Sequence, residues 1–240
     1  MFYAQLWESL AKKGYWSGEI WNQRKNHDIY PELLIISTVY NDERRVKNYV
    51  AVFTDITEIK KHQSQLEHMA HYDVLTNLPN RELIADRLHQ AIVQNKRDKK
   101  VLAVAFLDLD GFKEVDDAHG HNLEDELLVS LFHRLKEALR DCGTLTRFGG
   151  DEFVAILADL ENVQDFEPVI ERMLKAASKP ILVNDILLKV FASIVVNLYP
   201  LDNVDADQLI RHADQAMYIS KQKGKNCYHL FDIKYEDAIK

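Results

Sequence analysis

The run of residues 101–109, VLAVAFLDL, constrains the fold most, because it is almost unbroken in apolar residues. A strand without polar alternation is typical of a sheet that is buried on both faces. Helical periodicity flanks the run at residues 81–94 and 122–140. The sequence therefore predicts an α/β domain in which helices cover a central sheet.

The later elements of this domain follow from turn and periodicity signals. In chain order they are a hairpin over 144–157, a helix over 165–178, one long strand with its lead-in over 186–200, a helix over 205–223 that stops at Gly224, and a closing strand over 228–232.

Residues 1–55 have a different character, with aromatic residues and β-type alternation. They predict one short helix and three strands, separated by the polar turns NQRKNHD and NDERR. Three strands are few for an independent domain, so the region looks incomplete.

Residues 56–71 predict a helix. Five positions follow alternating steps of three and four residues and are apolar apart from Gln63: Ile56, Ile59, Gln63, Leu66 and Ala70. Two readings stay open, an ordinary amphipathic linker helix and a parallel dimeric signalling helix.

Composition excludes some functions. The chain has 240 residues and a formal net charge of −8, without the basic stripe of a general nucleic-acid binder. No apolar run approaches the roughly 18 residues of a membrane span, and the start lacks a secretion-signal layout, so we expect a cytoplasmic fragment with no membrane segment. The two cysteines, Cys142 and Cys227, lack metal-ligand spacing and are expected to be free thiols.

The segment RFGGDEF, residues 147–153, carries the strongest chemical signal. Gly149-Gly150 between two strand patterns predicts a two-residue turn that needs positive φ, and a glycine tip lets the backbone approach a ligand. Asp151 and Glu152 follow directly. The alternative is a polar hairpin tip without chemistry.

A second signal is a buried strand that ends in Asp108. This carboxylate either lies at the edge of the sheet or caps the next helix. Carboxylates on neighbouring strands suit Mg²⁺, which takes hard oxygen ligands and phosphate. No Ser-His or Cys-His pair accompanies them, and transfer of phosphoryl groups needs positioning and charge neutralisation more than a protein nucleophile.

Three weaker patterns accompany these signals. Lys221 and Lys225 flank a helix end, where lysines also offset the helix dipole. Asn80 predicts a helix cap. His119 and His121 have H-x-H spacing but no evident third ligand, which disfavours a zinc site.

Together these segments resemble the GGDEF family of nucleotidyl cyclases, over about residues 71–232. The matching runs are DVLTNLPNR, FLDLDGFK, DDAHGHNLED, RFGGDEF and DQAMYISKQKGKN. Residues 1–55 resemble the C-terminal half of a PAS domain, which ends in a D-I-T motif, here Asp55-Ile56-Thr57. Because the first half of such a domain is absent, we expect Met1 to be an internal start.

The resemblance implies a palm-like βααββαβαβ core and four segments: a partial PAS domain (1–55), a linker helix (56–71), a GGDEF domain (72–232) and a C-terminal linker (233–240). It also implies a diguanylate cyclase, which condenses two GTP into cyclic di-GMP in a homodimer with Mg²⁺ or Mn²⁺.

The resemblance also assigns site residues. The implied catalytic residues are Asp108, Asp151 and Glu152. The implied metal ligands are Asp108, Asp151 and the backbone of Leu109. The implied GTP contacts are Phe112, Lys113, Asp116, Asp125, Gly149, Gly150, Lys221 and Lys225.

Several positions depart from the family pattern. Asp116 replaces an asparagine that contacts guanine, and it accepts hydrogen bonds but cannot donate them. Glu124 and Val195 replace glycines, and Lys225 replaces an arginine, which keeps the charge but loses the bidentate fork.

These departures leave two alternatives open. One is a catalytically weak GTP-binding domain that regulates a downstream EAL phosphodiesterase domain, since the last residues resemble a junction to one. The other is an interaction module that binds no nucleotide. Magnesium-dependent GTP binding separates the two.

The family's inhibitory R-x-x-D site is degenerate here. The window reads Arg140-Asp141-Cys142-Gly143, so the arginine is present and the final aspartate is missing. We therefore expect weak or absent product inhibition.

Overall fold

The computed structural model describes residues 2–140 and 143–231, and the chain divides into two units, Met1–His68 and Met69–Lys240. The division falls inside one helix, α2 (Thr57–His71). Among the described residues, no helix has both the length and the apolar character that a bilayer crossing requires.

The first unit contains α1 (Phe2–Lys13) and an antiparallel sheet in the order β1–β2–β3. Its strands are β1 (Tyr15–Gln23), β2 (Ile29–Tyr40) and β3 (Val46–Asp55). The three strands and the short helix expected from the sequence are confirmed. Leucines of α1 and β2 are buried, whereas β3 is exposed along its whole length.

The D-I-T motif is the start of α2. Asp55 Oδ1 accepts hydrogen bonds from the Thr57 hydroxyl at 2.6 Å and the Thr57 amide at 2.9 Å, and Arg24 pairs with the same carboxylate. These contacts, those from Thr57 first, lower the pKa of Asp55 to about 2. The motif is therefore an Asx-type turn that leads the chain from β3 into the helix. Ile59 and Leu66, two apolar positions of α2, are exposed.

The second unit alternates helices and strands. Its helices are α3 (Arg81–Asp98), α4 (Phe112–His119), α5 (His121–Leu139), α6 (Glu167–Ala177) and α7 (Ala206–Lys223), with a short 3-10 helix (Val163–Phe166) before α6. Its strands are β4 (Val101–Asp110), β5 (Gly143–Gly149), β6 (Glu152–Leu160), β7 (Ile181–Val183), β8 (Ile186–Leu188), β9 (Phe191–Tyr199) and β10 (Tyr228–Leu230).

The main sheet has the order β10–β9–β4–β6–β5, with β10 parallel to β9 and the other pairs antiparallel. β4 lies at its centre and is buried almost throughout, as its apolar sequence predicts. This mixed sheet with helices on both faces confirms the expected α/β fold class.

Alternate side chains of β4 enter two separate cores. Ala103, Ala105 and Leu107 pack into a cluster with α5 and α6, whereas Val104 and Phe106 pack into a cluster with α3 and α7. Because side chains alternate along a strand, Asp108 and Asp110 continue the row of Phe106. The two carboxylates therefore lie on the face that α3 and α7 cover.

Two details of the helices differ from the sequence prediction. We predicted that α5 begins at Asn122, but the helix begins at His121 after Gly120, whose φ is +81°. The alternative in which Asp108 caps a helix is also wrong, because Asp108 lies within β4 and Gly111 precedes α4. By contrast, Asn80 caps α3 as predicted, accepting from the amides of Glu82 and Leu83.

The segment predicted as one strand over residues 186–200 is two elements. Residues Ile186–Leu188 pair with Ile181–Val183 in a separate two-stranded hairpin, and β9 begins at Phe191. Asn184 and Asp185 form the turn with positive φ at both positions, +46° and +63°. This is the backbone of a two-residue hairpin loop, and the Asn-Asp pair was the available signal.

Candidate active site

The site begins where β4 ends. Asp108 lies opposite Glu152 across the β4–β6 pair and opposite Ser193 across the β4–β9 pair. Only 8% of Asp108 is exposed. Register in the sheet therefore brings together two of the carboxylates that the sequence singled out.

The β5–β6 turn adds the third carboxylate. We predicted a Gly149-Gly150 turn, but Gly149 pairs with Glu152, so the turn residues are Gly150 and Asp151. Only Gly150 of the two glycines has positive φ, +45°. The Leu109 amide donates to the Asp151 carbonyl at 3.3 Å, which ties the turn to β4. A Cβ added at either glycine would meet no atom within 4 Å, so this side of the tip is open.

Lys221 on α7 contacts the Asp108 carboxylate as an ion pair. Burial raises the pKa of Asp108, against the opposing Lys221 ammonium, and the Asp151 and Asp110 carboxylates raise it further. Burial also raises the pKa of Glu152, with added repulsion from Asp214, Asp108 and Asp151. These carboxylates carry more negative charge than the Lys221 ammonium offsets. This excess of negative charge favours a bound cation.

Asp110 was not assigned a role from the sequence, yet it fastens the loop after α7. Its Oδ2 accepts from the Ser193 hydroxyl at 2.7 Å and from the Asn226 amide at 3.3 Å. The Ile194 amide also donates to the Cys227 carbonyl at 3.0 Å. Lys225, which is exposed, is thereby held next to the end of β4. The D-x-D spacing was the signal, since it places both carboxylates on one face of the strand.

Arg147 stabilises the β5–β6 turn by linking it to Asp73. Its Nε donates to the Gly150 carbonyl at 3.0 Å, and its Nη1 donates to both Asp73 oxygens at 3.1 and 3.2 Å. Burial alone raises the pKa of Asp73, but hydrogen bonds from Thr76 and Arg147 bring it below its ordinary value. A 630 Å³ cavity beside this network is lined by Asp73, Asn80, Arg81, Glu82, Arg147, Phe148, Gly149 and Gly150.

For the GTP turnover that the family resemblance implies, Arg147→Lys is expected to lower the rate by about tenfold, because lysine keeps the charge but cannot bond Asp73 and the Gly150 carbonyl together. Initial rates at saturating GTP measure this. The matched control is Arg134→Lys, since Arg134 also makes two bonds to carbonyls, those of Lys179 and Pro180, away from the tip. An equal loss in both variants would contradict a specific role for Arg147.

Other predicted GTP contacts lie on helices rather than on the sheet. Phe112 is buried in the core with α5, so its side chain faces away from solvent. Lys113 and Asp125 are exposed on α4 and α5. Val195 is fully buried in the core with α7, on the same face of β9 as Ser193.

Asp116, His121 and Glu124 form a cluster where α4 meets α5. His121 Nδ1 lies 2.8 Å from Asp116 Oδ1 and 3.0 Å from Glu124 Oε2. The hydrogen bond with Glu124, then the charge of Asp116, raises the pKa of His121. His119 has no part in this cluster, so the H-x-H pair is not its basis. Sequence reasoning missed the cluster, although the i, i+3 spacing of His121 and Glu124 was a signal.

A basic groove of 490 Å³ lies between α5 and α6, lined by Arg134, Glu137, Ala138, Arg140, Arg172, Lys175, Ala176 and Lys179. Arg140, the retained arginine of the degenerate inhibitory motif, is exposed there. Asp141 and Cys142 fall outside the described residues. The other cysteine, Cys227, is a free thiol, as expected.

Weak or absent product inhibition through Arg140 stays a prediction. We expect cyclic di-GMP to bind this chain no tighter than about 10⁻⁵ M, because the aspartate that would complete the motif is missing. Isothermal titration measures the affinity. Tight binding that Arg140→Ala abolishes would overturn the prediction, whereas weak binding in both proteins would agree with it.

The donor set at the strand ends fits a hard divalent cation. Asp108 and Asp151 offer carboxylate oxygens, and Leu109 offers a backbone carbonyl, all from the β4 end and the tip bonded to it. Oxygen donors of this kind suit Mg²⁺ or Mn²⁺ and not a soft metal.

Two family matches cover most of the described chain. Residues 70–227 match the family described as diguanylate cyclase, GGDEF domain, and residues 2–58 match the family described as PAS domain. The GGDEF match lies over every strand-end residue described above, and the PAS match ends just after the D-I-T motif.

Several similar proteins are named for the synthesis or breakdown of cyclic di-GMP. MucR of Pseudomonas aeruginosa, a bifunctional diguanylate cyclase/cyclic di-GMP phosphodiesterase, is 41% identical over 176 residues, 73% of this chain and 26% of MucR. PdeR of Escherichia coli, a cyclic di-GMP phosphodiesterase, is 36% identical over 186 residues, 78% of this chain and 28% of PdeR. The chain thus spans about a quarter of the length of these relatives.

A solved structure resembles the second unit. The GGDEF domain of TpbB (YfiN) from Pseudomonas aeruginosa is 32% identical and superposes with a TM-score of 0.67, covering 70% of this chain and 99% of that one.

Proposed function

The chain belongs to the diguanylate cyclase GGDEF-domain family, preceded by a PAS-domain match, and from that membership we propose that it condenses two GTP into cyclic di-GMP with release of pyrophosphate. TpbB, a 33% identical relative, is named a diguanylate cyclase.

The observation that carries this proposal is the convergence at the end of β4. Asp108 lies opposite Glu152 in the sheet, Asp151 follows in the adjoining turn, and the Lys221 ammonium contacts Asp108. Burial and mutual repulsion raise the pKa of Asp108 and Glu152. A polyphosphate nucleotide brought in with divalent cations would relieve this repulsion and fill the open side of the glycine tip.

We assign the residues as follows. Asp108, Asp151 and the Leu109 carbonyl would hold Mg²⁺ or Mn²⁺, and the bound cation would supply charge neutralisation on the phosphates and a more acidic ribose hydroxyl. Glu152, opposite Asp108 in the sheet, would add a further carboxylate to the site. Lys221 and Lys225 bind the outer phosphates. The hydrogen bond from the neighbouring Asn226 amide to Asp110 holds Lys225 in place. Asp116 and Asp125 accept hydrogen bonds from the guanine edge.

Two copies of the chain are needed, because each site holds one GTP. The 3′-hydroxyl oxygen of each GTP bonds to the α-phosphorus of the other while the hydroxyl proton passes to solvent, and the bond from that phosphorus to the bridging oxygen of pyrophosphate breaks. The exposed apolar positions Ile59 and Leu66 on α2 are candidates for a dimer contact.

The test is an assay of GTP turnover with Mg²⁺, following cyclic di-GMP by chromatography. The chain is assayed alone and with its N-terminus fused to a dimeric coiled coil, so that weak association does not hide activity. Cyclic di-GMP in proportion to the GTP consumed is the expected result. Tight GTP binding without product in either protein would overturn the proposal.

A second candidate function is a GTP-binding regulatory domain with little cyclase activity. It is favoured by one observation: His121, Asp116 and Glu124 contact one another at the place proposed for guanine. In that case GTP binds with Mg²⁺ and no product forms, so the same assay separates the two functions. An EAL domain in a longer parent protein would be the regulated partner.

A further inference from the structure

We propose that His121 is a positioning residue for the nucleobase, which holds the Asp116 carboxylate in a fixed orientation and offsets the negative charge of Glu124. This inference rests on the proposed function, because it assumes that Asp116 faces guanine. It adds a residue outside the strand-end site and explains how two departures from the family pattern coexist.

The His121 imidazole contacts two carboxylates on two helices. One nitrogen, Nδ1, lies within hydrogen-bond distance of Asp116 on α4 and Glu124 on α5, at 2.8 and 3.0 Å. The three ligand-type atoms all lie within 4.8 Å of one another. The Asp116 side chain is 26% exposed, whereas the His121 side chain is 84% exposed. The partly buried Asp116 carboxylate thus lies in ion-pair contact with an exposed imidazole, whose hydrogen bond goes to Glu124.

The departures from the family pattern at Asp116 and Glu124 are coupled, because both side chains contact the His121 imidazole. An asparagine at position 116 and a glycine at position 124 would leave His121 without either carboxylate. With Asp116 and Glu124 in place, two acidic side chains meet at one helix junction, and like charges so close repel each other unless a cation lies between them. A protonated imidazole would be that cation, and the carboxylates of Glu124, Asp116 and Asp125 raise the pKa of His121.

The contact with His121 determines which Asp116 oxygen is available to guanine. His121 contacts Oδ1, which leaves Oδ2 as the acceptor for the N1–H and N2–H donors of guanine. A carboxylate that is already fixed loses less side-chain entropy when a ligand binds. Offsetting Glu124 also lowers the repulsion that the GTP phosphates would meet.

A pH dependence follows with a definite sign. Glu124, Asp116 and Asp125 all raise the pKa of His121, so the imidazole stays protonated to higher pH than an isolated histidine. The positioning is present below that raised pKa and is lost as pH rises through it. GTP affinity should therefore fall with rising pH in the native chain.

The experiment compares three variants by titration calorimetry with GTP and Mg²⁺, from about pH 6 to about pH 9. His121→Ala should weaken GTP binding by about tenfold at the lower pH and remove the pH dependence. His121→Asn keeps a donor near the Nδ1 position without a titrating charge, so it should restore part of the affinity but none of the pH dependence. His119→Ala, an exposed neighbour outside the cluster, should match the native chain.

A nucleotide-free measurement separates this inference from the proposed function. NMR titration of the His121 imidazole should give a raised pKa in the native chain and an ordinary one in the Asp116→Asn, Glu124→Gly double variant. Absence of GTP binding in the native chain would overturn the proposed function. GTP binding that His121→Ala leaves unchanged in affinity and pH profile, or an unshifted imidazole pKa, would overturn this inference alone.

Discussion

Asp151→Asn is expected to lower cyclic di-GMP formation by about 10³-fold or more, because the substitution removes a charged cation ligand at the turn and keeps its size and backbone. The apo protein should be no less stable, since Asp151 repels Asp108 and Glu152 and raises the pKa of both. Chromatographic turnover assays and thermal unfolding measure the two effects.

The matched control is Asp159→Asn at the opposite end of β6. Asp159 is exposed and has a φ of +61°, which asparagine also tolerates. This variant should keep native turnover. If Asp151→Asn retained more than about a tenth of the native rate, a cation-ligand role for Asp151 would be excluded.

Lys221→Met is expected to weaken GTP binding by about 10–100-fold, because charge-assisted bonds to phosphate each contribute about 1.5–3 kcal/mol. Methionine keeps the length and the apolar stem, so the packing of α7 changes little. The measurement is the dissociation constant of GTP with Mg²⁺ by titration calorimetry.

The same variant should also change the pH dependence of stability. Without Lys221, the pKa of Asp108 rises further above its unfolded value, so the folded state holds a proton that the unfolded state releases. Stability then falls as pH rises from the unfolded toward the folded pKa, and the loss persists at neutral pH. Lys221→Met should therefore lower the melting temperature more at neutral than at acidic pH.

Lys225→Met is the control for this second effect. Lys225 is an exposed loop residue, so its replacement should weaken GTP binding and leave the pH dependence of unfolding unchanged. Identical pH profiles for the native chain and Lys221→Met would contradict the proposed balance between Lys221 and Asp108.

The central strand was predictable because it depends on local sequence, since an apolar run as long as β4 has to be buried on both faces. For Asp108 the sequence left two alternatives, the sheet edge and a helix cap, and the structure places it within β4. Asn80 was predictable for a similar reason, since a cap acts within its own turn. The tip was predicted one residue too early, because the register of β5 against β6 fixes which two residues turn.

Contacts between distant segments were not predictable. Ser193 reaches Asp110 across 83 residues, and Arg147 reaches Asp73 across 74. The pairing of β4 with β9 brings the first two together, and the contact of β5 with the loop before α3 brings the second two together. The cluster around His121 was missed for another reason: the sequence prediction began α5 at Asn122, which left His121 outside the helix and hid its i, i+3 relation to Glu124.

The central claim is that Asp108, Asp151 and the Leu109 carbonyl hold a divalent cation on the phosphates of GTP. The measurement that tests it most directly is a crystal structure with Mn²⁺ and a non-reactive GTP analogue, in which anomalous scattering locates the metal. We predict Mn²⁺ within about 2.0–2.4 Å of oxygens from all three residues and of the phosphates. Mn²⁺ bound elsewhere, for example between Asp116, His121 and Glu124, with none at the end of β4, would contradict the claim.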